Sequence, residues 1–137
     1  MYQKVAIFSL IAILSQSCSD RLDAPDCKDQ EGIQVRNELY SNVPSDYTGI
    51  VFFCENGKVT KTEEFKNGKQ DGWRKLYNKS RLLQMGEFLE GYHNGQCTYY
   101  YKNGNIRESQ FWIYNKDHPI LRKQECWDED GNEIKCE

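Results

Sequence analysis

Six cysteines and two histidines, His93 and His118, are the side chains of this 137-residue chain best suited to nucleophilic, redox or metal chemistry. A catalytic nucleophile needs a base beside it and a third group to orient that base, and two imidazoles supply few such sets. His93 precedes Asn94-Gly95 and is expected at a turn. His93 and Cys97 are four residues apart, a step that on a strand spans about 13 Å and takes both out of reach of one metal ion. The absence of any Cys-x-x-Cys pair removes the usual redox arrangement. Asp128-Glu129-Asp130-Gly131-Asn132-Glu133 has the oxygen-rich make-up of part of a calcium loop. Its first ligand position would fall on Cys126 and no bidentate Glu stands at the required distance, so an acidic hairpin turn is expected. No catalytic residue, metal ligand or cofactor is assigned.

Cys126 and Cys136 flank that turn symmetrically. A short hairpin would bring their Cα atoms to about 5.5 Å, which suits a disulfide. Cys54 and Cys97 are open between a mutual bond and two buried, inert thiols. Six cysteines together argue for an oxidising compartment.

The remaining side chains with recognition chemistry are aromatic. Rings make up 13% of the chain, with nine tyrosines, against an apolar content of 38%, so a thin core must rest on large amphipathic rings, which suit strands better than helices. A single-layer sheet cannot bury both its faces in one small domain, so some rings must stay half exposed. Trp73, Tyr77, Tyr99, Tyr101 and Trp112 form the candidate binding face. The formal net charge is −3 and Lys and Arg are interspersed with acids; without a clustered basic face, nucleic acid is not an expected partner.

The elements that must position these residues follow from a repeat. Gly49, Gly72 and Gly95 stand 23 residues apart, as do Phe65, Phe88 and Phe111, and Phe53, Leu76 and Tyr99. Each unit reads as strand, tight turn, strand, tight turn: Gly49 to Glu55, Asn56-Gly57, Lys58 to Phe65, Asn67-Gly68. Asn-Gly also occurs at 94 and 103 and Asp-Gly at 71 and 130, and such pairs meet the positive φ of type I′ turns at little cost. Recurrent glycine leaves no room for a helix. The fold class is therefore all-β, a meander of repeated antiparallel hairpins forming a single twisted sheet, with repeats at about 47–69, 70–92, 93–115 and 116–137 in a domain spanning 33–137. Residues 33–47 read as an edge strand or a short helix.

Gly72-Trp73-Arg74-Lys75-Leu76-Tyr77, with its Phe65 to Asp71 lead-in, resembles the bacterial variant of the MORN repeat, in which a G-x-W-x-x-Y segment recurs at about this interval. The resemblance covers roughly residues 47–113. It implies an antiparallel hairpin sheet and, because such proteins are often labelled antitoxins, an alternative function as an immunity-type protein that neutralises a toxin by direct binding.

Before the repeats, Val5 to Leu14 is an apolar block behind Lys4, long enough for a signal segment and too short to span a bilayer. Leu14-Ser15-Gln16-Ser17-Cys18 resembles a bacterial lipobox, and its Ser-Cys-Ser-Asp context is similar to Bacteroidota lipoproteins. The resemblance implies a signal peptide over 1–17, lipidation at Cys18, and an envelope protein held at a membrane, the outer more than the inner, by its acyl chains. With Cys18 acylated, five cysteines remain and at least one lacks an intramolecular partner. Residues 18–32 are polar, contain Pro25, and read as a flexible tether. The functional expectation is a non-enzymatic binding or scaffold module for a protein or glycan partner, of open oligomeric state.

Overall fold

The computed structural model describes residues 22–36 and 39–137. Cys18, the signal segment and the membrane anchor expected from them lie outside the described residues. Nine strands among the described residues form one open sheet in sequence order. They are β1 (Ile33–Gln34), β2 (Gly49–Glu55), β3 (Lys58–Lys66), β4 (Lys69–Asn78), β5 (Arg81–Leu89), β6 (Tyr92–Tyr100), β7 (Ile106–Tyr114), β8 (Pro119–Trp127) and β9 (Glu133–Ile134). Every neighbouring pair is antiparallel except β1 with β2. The hairpin meander is thus the architecture. Both edge strands are two residues long, so β1 covers only Val51 and Phe52 of β2, and β9 only Cys126 and Trp127 of β8. No helix of the described residues is long and apolar enough to cross a membrane.

The 23-residue step is written into the register as well as the side chains. Ladder shifts fall between Phe53 and Cys54, Leu76 and Tyr77, and Tyr99 and Tyr100, and a second series falls between Glu63 and Phe65 and between Gly86 and Phe88. The second series explains the recurrent glycines. Gly72 (φ +115°) and Gly95 (φ +108°) lie inside β4 and β6 where the ladder bulges. At each bulge a carboxylate from the preceding strand accepts a freed amide. Trp73 N–H donates to Glu64 Oε2 at 2.9 Å, and Gln96 N–H to Glu87 Oε1 at 3.3 Å. Glu64 and Glu87 are themselves 23 residues apart.

Two turn assignments are corrected by this arrangement. Asp71-Gly72 and Asn94-Gly95 are in-strand bulges, so His93 sits within β6 and not at a turn. The turns that serve those hairpins are Lys79-Ser80 and Glu90-Gly91, with positive φ at all four positions. Local turn chemistry lost here because a carboxylate cap and a continuing ladder satisfy more backbone groups than an early reversal would.

The segment expected to be a tether is also corrected from Leu22 onward. Residues 22–32 lie as a strap along one face of the sheet. Ala24 N–H donates to Ser80 O (2.8 Å), Cys27 N–H to Gly57 O (3.0 Å) and Val59 N–H to Pro25 O (3.0 Å). Asp26 pairs with Lys58 and Asp23 with Arg81, both at 2.8 Å. Cys27 is bonded to Cys54 of β2, which settles the open question about Cys54 against a Cys97 bond. Cys97 is a buried free thiol. Polarity suggested a solvated chain, but the polar atoms are spent on sheet edges and turns. Of the segment 33–47, Ile33–Gln34 form β1 and residues 39–47 carry Tyr40 over the opposite face, against Phe53 and Phe65.

Cys126 and Cys136 are joined across the last ribbon, with Cα atoms 5.4 Å apart. Since β9 contributes two ladder pairs, this bond is the main constraint on residues 128–137. Cys136→Ser should cost about 2 kcal/mol and lower hydrogen-exchange protection in β8 while β3 to β6 keep theirs. Equal loss in all strands would show that the bond does more than hold the end.

Candidate functional site

The register sorts the side chains into two faces. On the strap face one row runs Phe52, Thr62, Lys75, Met85, Thr98, Ser109. On the open face two rows run Phe53, Lys61, Leu76, Gln84, Tyr99, Glu108 and Val51, Glu63, Arg74, Gly86, Cys97, Gln110. The core is accordingly thin and double. Val51, Phe88 and Cys97 are buried on the open side, and Phe52, Val59 and Leu82 beneath the strap.

This sorting divides the candidate face. Trp73, paired with Glu87, and Tyr77, paired with Leu82, belong to the strap side. Tyr99, paired with Glu108, and Trp112, paired with Gly95, belong to the open side. Tyr101 has left β6, and its hydroxyl donates to Trp127 O at 2.8 Å, tying the β6–β7 turn to β8. The five rings therefore do not form one surface. The ladder shifts and the strap, neither evident from simple alternation, separate them.

The open face carries a continuous stack that sequence reading missed. The Arg74 guanidinium lies 4.2 Å from the Phe88 ring centre, Phe88 4.4 Å from His93, and His93 5.4 Å from Trp112 at 24° between planes. Such contacts between cation, ring and imidazole add attraction beyond burial. Burial, and then the charge of Arg74, pull the His93 pKa below its usual value, so the imidazole is neutral at neutral pH. Its Nδ1 is buried without a hydrogen-bond partner, as is Gln70 Nε2; the two residues occupy the same position of successive units, opposite Phe88 and Phe65. Beside the stack, Trp112 Nε1–H donates to Gln110 Oε1 at 2.8 Å, and Gln110 and Gln124 both donate to Glu108. Tyr99 is pushed up to about 12, chiefly by burial and then by its contact with Cys97. Gln84 Nε2 donates to Cys97 Sγ at 3.2 Å, which closes the thiol off from solvent chemistry. Nearer β2, Tyr40 covers the face: its hydroxyl donates to Glu63 (2.6 Å), whose carboxylate also meets Lys61 (3.4 Å), and burial pushes the Tyr40 phenol up. The spacing that could have revealed the stack is 23 residues from Gln70 to His93, which puts an imidazole in a ring-facing column.

The strap face holds a groove of about 920 Å³ between residues 22–25 and β4 to β7. Leu22, Ala24 and Pro25 line it from the strap, and Lys75, Tyr77, Leu82, Met85, Tyr100 and Ile106 line it from the sheet. Burial raises the phenols of Tyr77 and Tyr100, so both rings stay neutral. Trp73 borders a smaller space of about 150 Å³ with Pro25, Gln30 and Lys75.

His118 is exposed in the β7–β8 loop, where its amide is held by Asn115 Oδ1. Among the described residues no group of three or more His, Cys, Asp or Glu converges as a metal site. The Asp128 carboxylate accepts from the amides of Asp130 and Asn132 and from the Asn132 side chain, and these bonds hold its pKa below the usual value. The acidic turn is built by its own carboxylate.

Compared with known proteins, the chain matches no family model, no curated protein and no solved structure, so the reading of both faces rests on their own geometry.

Proposed function

We propose that this chain is a lipid-anchored cell-envelope protein, acylated at Cys18, that acts as a non-enzymatic binding module and holds a partner on its open face. The observation that carries the reading is the stack of Arg74, Phe88, His93 and Trp112 flanked by Tyr99, in which Phe88 is buried and the other four side chains are half-exposed. Packed rings that stay half-exposed, as His93, Tyr99 and Trp112 do, offer flat apolar area at low entropic cost. The amides of Gln110 and Gln124 with the Glu108 carboxylate supply hydrogen-bonding groups at the edge of those rings. That mix suits a glycan, whose sugar rings present an apolar face and a hydroxyl rim, and a protein partner is the other occupant of the same surface. Two disulfides fit an oxidising envelope compartment. The lipobox resemblance supplies the anchor.

Two measurements test the reading. Metabolic labelling with a fatty acid should vanish in Cys18→Ala, with release of the protein from the membrane fraction; persistent labelling means the anchor is misassigned. Capture of envelope glycans by the wild-type chain should fall at least about tenfold in Trp112→Ala, as expected when a hot-spot ring is removed, provided the variant keeps wild-type hydrogen exchange in β4 to β6. Unchanged capture would leave the open face without a binding role.

A further inference from the structure

We propose that the groove under the strap binds a long-chain aliphatic carboxylate, the carboxylate paired with the Lys75 ammonium and the chain lying along Tyr77, Met85 and Tyr100. This site is on the opposite side of the sheet from the stack, and it stands or falls independently of the open-face reading.

Charge is the first argument. Lys75 occupies the middle of the strap-face row, half-buried between Thr62 of β3 and Met85 of β5. Among the described residues it makes no ion pair or hydrogen bond. Two cations that meet the strap from the sheet are matched: Lys58 meets Asp26 and Arg81 meets Asp23, each at 2.8 Å. Asp26 and Asp23 are thus taken by other cations, and the strap's remaining carboxylates, Asp29 and Glu31, make no ion pair with Lys75. A lysine stem lying along apolar surface explains where its methylenes go. It does not explain why a half-buried cation with no ion pair lines the groove, where leaving a charge half-desolvated is unfavourable. An incoming anion removes that cost.

Shape and lining are the second argument. The groove, at about 920 Å³, is within the range of small-molecule sites. Apart from Lys75 and the already paired Asp23, its walls are rings and aliphatic side chains, which offer a sugar or a nucleotide few hydrogen bonds. The combination of one cation and a long apolar wall calls for an amphiphile with a single small anionic head. The strap wall is fixed by the Cys27–Cys54 bond and by amide bonds from Ala24 and Val59, so the groove is formed before a ligand arrives, which lowers the cost of binding.

Sodium dodecanoate below its micelle concentration is the probe, with the Met85 methyl resonance, assigned by Met85→Leu, as a reporter inside the groove. The Met85 signal should shift and saturate at one equivalent. Lys75→Gln should weaken dodecanoate at least about tenfold, the loss expected of one charge-assisted contact, and leave dodecanol unaffected. Ile106→Glu changes a lining side chain that is 43% exposed and so spares the fold; it sets a like charge against the carboxylate and should abolish the shift. An unmoved Met85 signal, equal affinity for dodecanoate and dodecyltrimethylammonium, or a shift given by phosphatidylglycerol vesicles and not by dodecanoate would each overturn the proposal. Trp112→Ala should leave dodecanoate binding intact, which separates failure here from failure of the open-face reading.

Discussion

Gly72→Ala should destabilise the sheet by about 3 to 4 kcal/mol, well above the cost of removing an ordinary turn glycine. Two effects add. At φ +115° an L side chain is strained, at about 1 to 3 kcal/mol. A Cβ on Gly72 would also stand 2.1 Å from Glu64 Oε2 and 2.9 Å from Glu64 Cβ, so the carboxylate must leave the amide of Trp73. A charge-assisted bond to a half-buried amide contributes about 1.5 to 3 kcal/mol. Gly95→Ala should behave similarly, since its Cβ would stand 2.7 Å from Glu87 Oε2. Gly57, at φ +79° with nothing within 4 Å of its Cβ, isolates the backbone part and should cost about 1 kcal/mol. Denaturant unfolding of the three variants, with Gly72→Ala repeated in a Glu64→Ala background, separates the two effects. If Gly72→Ala costs no more than Gly57→Ala, the carboxylate-capped bulge is not what holds the repeat in phase.

That same glycine shows how far the sequence could be read. The 23-residue columns of Gly, Phe and aromatic residues were sufficient for the sheet, its strand order and the hairpins at Asn56-Gly57 and Asn67-Gly68. They could not tell a turn from a bulge, because Asp71-Gly72 and Asn94-Gly95 satisfy the torsional demands of both. The distinguishing feature lies eight residues upstream, where Glu64 and Glu87 keep the same step and supply the caps. At the first unit no such Glu occurs, and the Tyr47 hydroxyl, which donates to Ile50 O at 3.0 Å, crowds Gly49 in its stead. The strap was harder to foresee. Its polarity and Pro25 are what a solvated linker shows, and disulfide connectivity cannot be deduced from cysteine positions alone. The binding surface was legible only as a class of residue. Tyr99 and Trp112 share a face, but Trp73 and Tyr77 face the strap, since which rings remain uncovered depends on a segment whose docking is tertiary.

Replacing Cys27 and Cys54 together by serine should lower stability by about 3 to 4 kcal/mol, the loss expected for freeing a closed loop with a sequence separation of 27 residues. The local effect should exceed the global one in proportion. Without the bond, the strap is held by three amide bonds and two exposed ion pairs, and exposed pairs of this kind contribute about 0 to 1 kcal/mol each. Among residues 22–32 only Ala24 is fully buried, so little apolar area opposes lifting. Strap opening should then approach the free energy of a frayed terminus. Hydrogen exchange of the Ala24, Cys27 and Val59 amides should accelerate towards that of the turns, while the amides of β5 and β6 slow-exchange as before relative to their own global limit. Because the strap is one wall of the Lys75 groove, dodecanoate affinity should fall with it, although every floor residue is unchanged. A double variant that keeps the Val59 amide protected would mean that the strap docks by its own contacts, and the disulfide would then act on the unfolded chain alone.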